Sequence, residues 1–186
     1  VTVVATFEAA APAIRPDEGH DLIVKNGDAK ATAGTDYEWD TDDQNKLIIK
    51  KKNLTVSGTT TKEYIEVAES VYSLIIEDLT INAPVETAIT FLYDNTTLES
   101  KGENSFSAYT GVGIKAAGNV KIIGEGDLSL AGKSGSTAIV AAKTLTLDCH
   151  GTVTADGGVS CDEFVAGIDT GKAIIYGDDD DHGAIN

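Results

Sequence analysis

Residues 64–158 read as four successive blocks: YIEVAESVYSLIIEDLTINAPVE (64–86), TAITFLYDNTTLESKGENSFSAYT (87–110), GVGIKAAGNVKIIGEGDLSLAGKSG (111–135) and STAIVAAKTLTLDCHGTVTADGG (136–158). Each block holds three short alternations of apolar and polar residues, the pattern of strands with one buried face. The first alternation carries Ile65, Ile89, Ile114 and Ile139, spaced by 24, 25 and 25 residues. The second carries Ile76, Leu98, Ile122 and Leu147, and the third Ile81, Ala108, Leu130 and Ala155. Between the second and third lie Glu77-Asp78, Gly124 to Asp127 and Cys149-His150-Gly151, residues that tolerate the backbone angles of a sharp corner. Three strands per period, with like residues at like positions, predict an all-β, right-handed parallel β-helix whose equivalent side chains stack about 4.8 Å apart. A leucine-rich repeat has a similar period but needs an Asn or Cys at a fixed place, and none recurs here.

Working outward, Leu47 to Ile49 and Leu54 to Val56 read as an earlier coil, aligned with Ile76 and with Leu79 to Ile81. Cys161 to Ile168 and Lys172 to Tyr176 read as a later, degraded one. The expectation is five to six coils over residues 39–177, rising about 25 Å. No segment sustains a helical period. A solenoid must cover its strand edges, so residues 1–38 are expected to form an N-terminal cap, with Trp39 near the seam. Within it Val1 to Ala11 alternates like a strand; it is either part of the cap, a tail from a larger chain, or a strand that joins the sheet of a neighbouring molecule. Residues 178–186 form an acidic tail.

Lys and Arg total 14 against 30 Asp and Glu, a net charge of −16. That charge repels phosphate backbones and anionic lipid, which argues against nucleic-acid and membrane-surface partners. No apolar run approaches the length of a membrane span. The sequence opens at Val1 and contains no Met, which predicts a processed chain whose leader has been removed. An acidic, Thr- and Gly-rich composition with a single arginine points to an extracellular or cell-surface setting. Cys149 and Cys161 are too few for a disulfide framework or a zinc site; they are either one bridge or two buried thiols.

The stretch from Asp21 to Gly34, then Thr35 to Trp39 and Asn45 to Gly58 (NKLIIKKKNLTVSG), resembles surface proteins of Gram-positive bacteria in which a GTDY element precedes paired strands opening a β-helix. Leu79 to Asn82 and Leu98 to Asn104 are similar to the ladders of the same proteins. The family they resemble is the bacterial carbohydrate-binding β-helix domain, related in shape to pectate lyases. The resemblance implies a non-catalytic module that contacts polysaccharide or cell-wall glycan outside the cell.

Three chemistries follow as candidates. A polysaccharide lyase needs a strong base beside calcium; the only arginine, Arg15, lies in the cap segment, while Lys115, Lys121 and Lys143 sit on coils without an evident carboxylate cluster. Asp94, Asp127 and Asp148 occupy roughly corresponding turns, as a hydrolase would require, but solvated turn aspartates explain them equally well. The expectation is therefore no enzyme. Ca2+ without catalysis is the second candidate, held by Asp40, Asp42 and Asp43 or by Asp178, Asp179, Asp180 and Asp181. The first run lacks the Gly and distal Glu of an EF-hand loop, and solubilising charge is the simpler account of both. Sugar binding is the third, with Tyr72, Tyr93 and Tyr109 at coil corners as stacking rings, although incidental corner tyrosines explain them equally well. Asn53 and Asn95 begin glycosylation-type triplets that matter only in a eukaryotic source. The leading expectation is a polysaccharide-binding module, with a structural, adhesive or filament-forming surface protein as its rival.

Overall fold

The computed structural model describes residues 14–82, 87–108, 111–132, 137–166 and 171–176. Val1 to Ala11, Tyr109 and Asp178 to Asp181 lie outside the described residues. In chain order the cap holds β1 (Ile23–Asn26), β2 (Ala29–Lys30) and β3 (Tyr37–Trp39). The first two turns are β4 (Lys46–Ile49) with β5 (Leu54–Thr60), and β6 (Tyr64–Val67) with β7 (Ser73–Ile81). Four three-strand turns follow. They are β8 (Thr87–Phe91), β9 (Asn95–Lys101) and β10 (Glu103–Ala108); then β11 (Val112–Ala116), β12 (Asn119–Gly124) and β13 (Asp127–Gly132). Next come β14 (Ile139–Ala141), β15 (Thr144–Cys149) and β16 (Thr152–Asp156); then β17 (Val159–Ser160), β18 (Glu163–Ala166) and β19 (Lys172–Tyr176).

These strands stack as three parallel ladders, so the chain is a parallel β-solenoid. The first face runs β4-β6-β8-β11-β14-β17. The second runs β5-β7-β9-β12-β15-β18. The third uses the far halves of β5 and β7, then β10, β13, β16 and β19. Because β5 and β7 cross from second face to third without a break, only the last four turns carry three separate strands. Asp78, expected between two strands, instead lies within β7 at φ 51°.

The core is the set of inward columns. Ile65, Ile89, Ile114 and Ile139 are direct register partners and fully buried, as their spacing implied. Each of the other two columns departs from expectation at one rung, by two residues, while Leu98, Ile122 and Leu147 stack directly, as do Leu130 and Ala155. Leu98 pairs with Leu74, and Ile76 with Ser100. Ile81 pairs with Phe106, and Ala108 with Gly132. A two-residue slip leaves every side chain on its own face, so alternation alone does not fix the phase. The first turn is also shorter than expected: Leu47 stacks on Ile65 and Leu54 on Leu74, rather than on the residues 25 to 27 positions later.

At the corner between second and third faces, glycines allow backbone to touch backbone. A side chain at Gly151 would run into the carbonyl of Gly126, and one at Gly126 would fall 2.6 Å from that of Gly102. Buried Asn104 completes the corner: its Oδ1 accepts from Leu79 N at 3.0 Å, and its Nδ2 donates to Ser100 Oγ and Lys101 O.

The described cap closes one end with antiparallel pairs, β1 on β5 and β3 on β4. Its anchor is Glu63, wholly buried, whose carboxylate accepts from Asp21 N and Leu22 N, each at 3.0 Å, and lies 3.1 Å from His20 Nδ1. The His20 ring stacks on Trp39 with centroids 3.5 Å apart. Asp17 accepts from Trp39 Nε1 and Tyr37 Oη and pairs with Lys30. Burial works against the Asp17 carboxylate, but these three donors prevail and hold its pKa below the usual range. No helix among the described residues is long and apolar enough to cross a membrane.

Candidate functional site

Two of the three tyrosines singled out in the sequence lie at one corner of the solenoid, where the first face turns into the second. Tyr72 precedes β7, Tyr93 precedes β9 one turn later, and they are 44% and 39% exposed. Leu92, also exposed, sits beside Tyr93, so three of the four exposed large apolar side chains among the described residues share this corner. Lys52, one turn earlier, donates from Nζ to Tyr72 Oη at 2.6 Å and lies 5.0 Å from the ring centroid. That contact orients the Tyr72 ring while leaving it solvent-exposed. At the same corner Lys143 pairs with both oxygens of Asp94, at 2.7 and 2.8 Å, reaching across the intervening turn at Gly118.

The second face continues from this corner as an open groove of about 400 Å³. One outward column is Asn95, Asn119 and Thr144; the next is Thr97, Lys121 and Thr146. Asn119 Nδ2 donates to Asn95 Oδ1 at 2.7 Å, and its Oδ1 accepts from Thr144 N. The amides are thereby fixed in orientation, with hydroxyls beside them. Lys121 is paired with Asp148 at 2.6 Å. Sequence reasoning missed this groove, although the signal was available: its residues alternate with Leu98, Ile122 and Leu147 along the same strands.

The acidic candidates are occupied differently. Asp40 Oδ1 accepts from the backbone N–H groups of Asp42 and Asp43, and its Oδ2 pairs with Lys46 at 2.7 Å. The Lys46 ammonium, then those N–H groups, pull its pKa down to about 2. Asp43 accepts from Tyr64 Oη and from Asn45 N. Burial, then the Asp43 hydrogen bond, pushes the Tyr64 phenol well above its ordinary range. The run is thus a hydrogen-bonded turn, and among the described residues no three His, Cys, Asp or Glu side chains gather closely enough to hold a metal ion.

Asp94, Asp127 and Asp148 do not share a column: they lie at the first corner, at the start of β13 and near the end of β15. Lys115 and Lys121 stand on different faces, and Arg15 precedes β1. Cys149 and Cys161 are free thiols. Cys149 ends β15, whereas Cys161 precedes the β18 strand whose Glu163 aligns with Thr144. They stand about 15 Å apart along the strand direction, beyond the roughly 7 Å that a bridge spans. Of the two alternatives the thiols hold, although only Cys149 is fully buried.

The geometry defines a capped parallel β-solenoid with an exposed aromatic corner opening on an amide- and hydroxyl-lined groove. Compared with known proteins, the chain matches no family model, no curated protein and no solved structure.

Proposed function

We propose that this chain is a non-catalytic module that binds polysaccharide outside the cell or at its surface, along the Tyr72–Tyr93 corner and the adjoining groove. The observation that supports it is the pair of half-exposed tyrosines on successive turns, one of them oriented by Lys52. Sugar faces stack on such rings, while fixed amide and hydroxyl groups select the hydroxyls. Asn95, Asn119, Thr97 and Thr146 offer both donors and acceptors, as a hydroxylated polymer requires. Stacked turns suit a linear polymer, because each places polar side chains in register with those of the one before.

Retention on cellulose, pectin and mucin, followed by a glycan array, tests the reading. The wild-type chain is retained on at least one polymer, and the Tyr72→Ala/Tyr93→Ala variant loses about tenfold or more in affinity, as expected where two aromatic contacts carry the binding. No retention on any polymer, or retention indifferent to both tyrosines, overturns it.

A further inference from the structure

The third face carries a second, chemically distinct surface. Its central outward column is Thr59, Thr80, Ser105, Ser129 and Thr154, five hydroxyls in direct register on successive turns. The row ends at Ile174 on the last turn. No outward column of the other faces has five hydroxyls in succession: the first runs Glu66, Thr90, Lys115, Val140 and Ser160, and the second Ser73, Thr97, Lys121, Thr146 and Val165. Small side chains in one row leave a trough parallel to the solenoid axis, an open groove of about 450 Å³. Along one side stand Glu103, Asp127 and Thr152, again in register. Asp127 Oδ1 accepts from Thr152 N, and neither carboxylate pairs with a cation among the described residues. Lys172 follows Thr152 one turn further on, outside the residues that line the groove.

We propose that this trough binds a linear polysaccharide bearing free amines, a glucosamine-type polymer, lying along the solenoid axis. Hydroxyls in a row donate to and accept from a hydroxylated chain, and two unpaired carboxylates take up ammonium groups. The other described grooves each include a lysine, which repels such a ligand; this one has none. The net charge of −16 draws a polycation in from a distance. A basic peptide is disfavoured, because the strand backbones are already paired in the ladder and the only apolar lining residue, Leu128, is buried. The trough is separate from the tyrosine corner, so its test is independent of the proposal above.

Titration calorimetry with glucosamine hexamer, below the pKa of the sugar amine, is the experiment, with the N-acetylated hexamer, a cellulose hexamer and oligolysine as comparators. The glucosamine hexamer binds, and Glu103→Gln/Asp127→Asn weakens it about tenfold or more, since each charge-assisted contact is lost. Ser129→Tyr, which fills the exposed trough without touching the core, weakens it too. Three results overturn the inference: no binding of the amine polymer, equal binding of the N-acetylated form, or equal binding of oligolysine that the Ser129→Tyr variant retains.

Discussion

Removing the Glu63 carboxylate should unlatch the cap from the first turns. In Glu63→Ala the buried N–H of Leu22 and that of Asp21 lose their acceptor, and His20 loses its partner. An orphaned buried donor costs about 1–3 kcal/mol, so the variant should be about 4 kcal/mol less stable than wild type. For a chain of this length that corresponds to a fall in Tm of about 8–16 °C. Glu63→Gln keeps one acceptor oxygen but turns an NH2 group toward a backbone donor, and should lose about 2 kcal/mol. The only tryptophan in the chain, Trp39, stacks on His20 and so reports directly on this contact. Urea unfolding followed by Trp39 emission and by circular dichroism measures both the loss and whether the cap opens before the ladders. A loss below about 1 kcal/mol for Glu63→Ala would refute the claim that this carboxylate anchors the cap.

Three further outcomes follow from local geometry. Gly151→Ala, which drives a methyl into the Gly126 carbonyl, should cost about 3 kcal/mol in urea unfolding, against about 1 kcal/mol for Gly27→Ala, where φ is positive but the space is open. Burial raises the pKa of both Cys149 and Cys161; alkylation of the native chain should be slow at neutral pH, accelerate above the ordinary thiol range, and reach half-exposed Cys161 before Cys149, as peptide mapping would show. Asp40 has a folded pKa of about 2, below its unfolded value. Its contribution is therefore complete above the ordinary Asp pKa and disappears as pH falls through about 2; NMR titration of the Asp40 carboxyl carbon against Asp40→Asn checks the midpoint.

The first-face column was legible because Ile65, Ile89, Ile114 and Ile139 keep one phase through turns of nearly equal length. Each of the other columns was misphased at a single rung, because Leu74 and Ile76 are both apolar, both inward and two residues apart, as are Phe106 and Ala108. Only the hydrogen-bond register separates such pairs, and it depends on corner lengths that apolar periodicity does not encode. At the candidate site, Tyr72 and Tyr93 could be read as corner residues because both lie in the short links that lead into strands, Tyr72 directly before β7 and Tyr93 two residues before β9. The groove beside them is built from asparagine, threonine and lysine in positions that look like ordinary solvent-facing strand residues. Their convergence comes from stacking of turns, which brings together residues about 25 apart in the sequence.

The Glu63 latch gives the solenoid a direction. Each turn leans chiefly on its immediate neighbours, so cooperativity passes along the column rather than through a shared centre. One end is bolted by a buried carboxylate, while in β17 and β18 at the other end no residue is fully buried. Among the described residues, opening is therefore expected to begin at β17 and β18 and to reach the histidine–tryptophan stack last, like a rope cleated at one point.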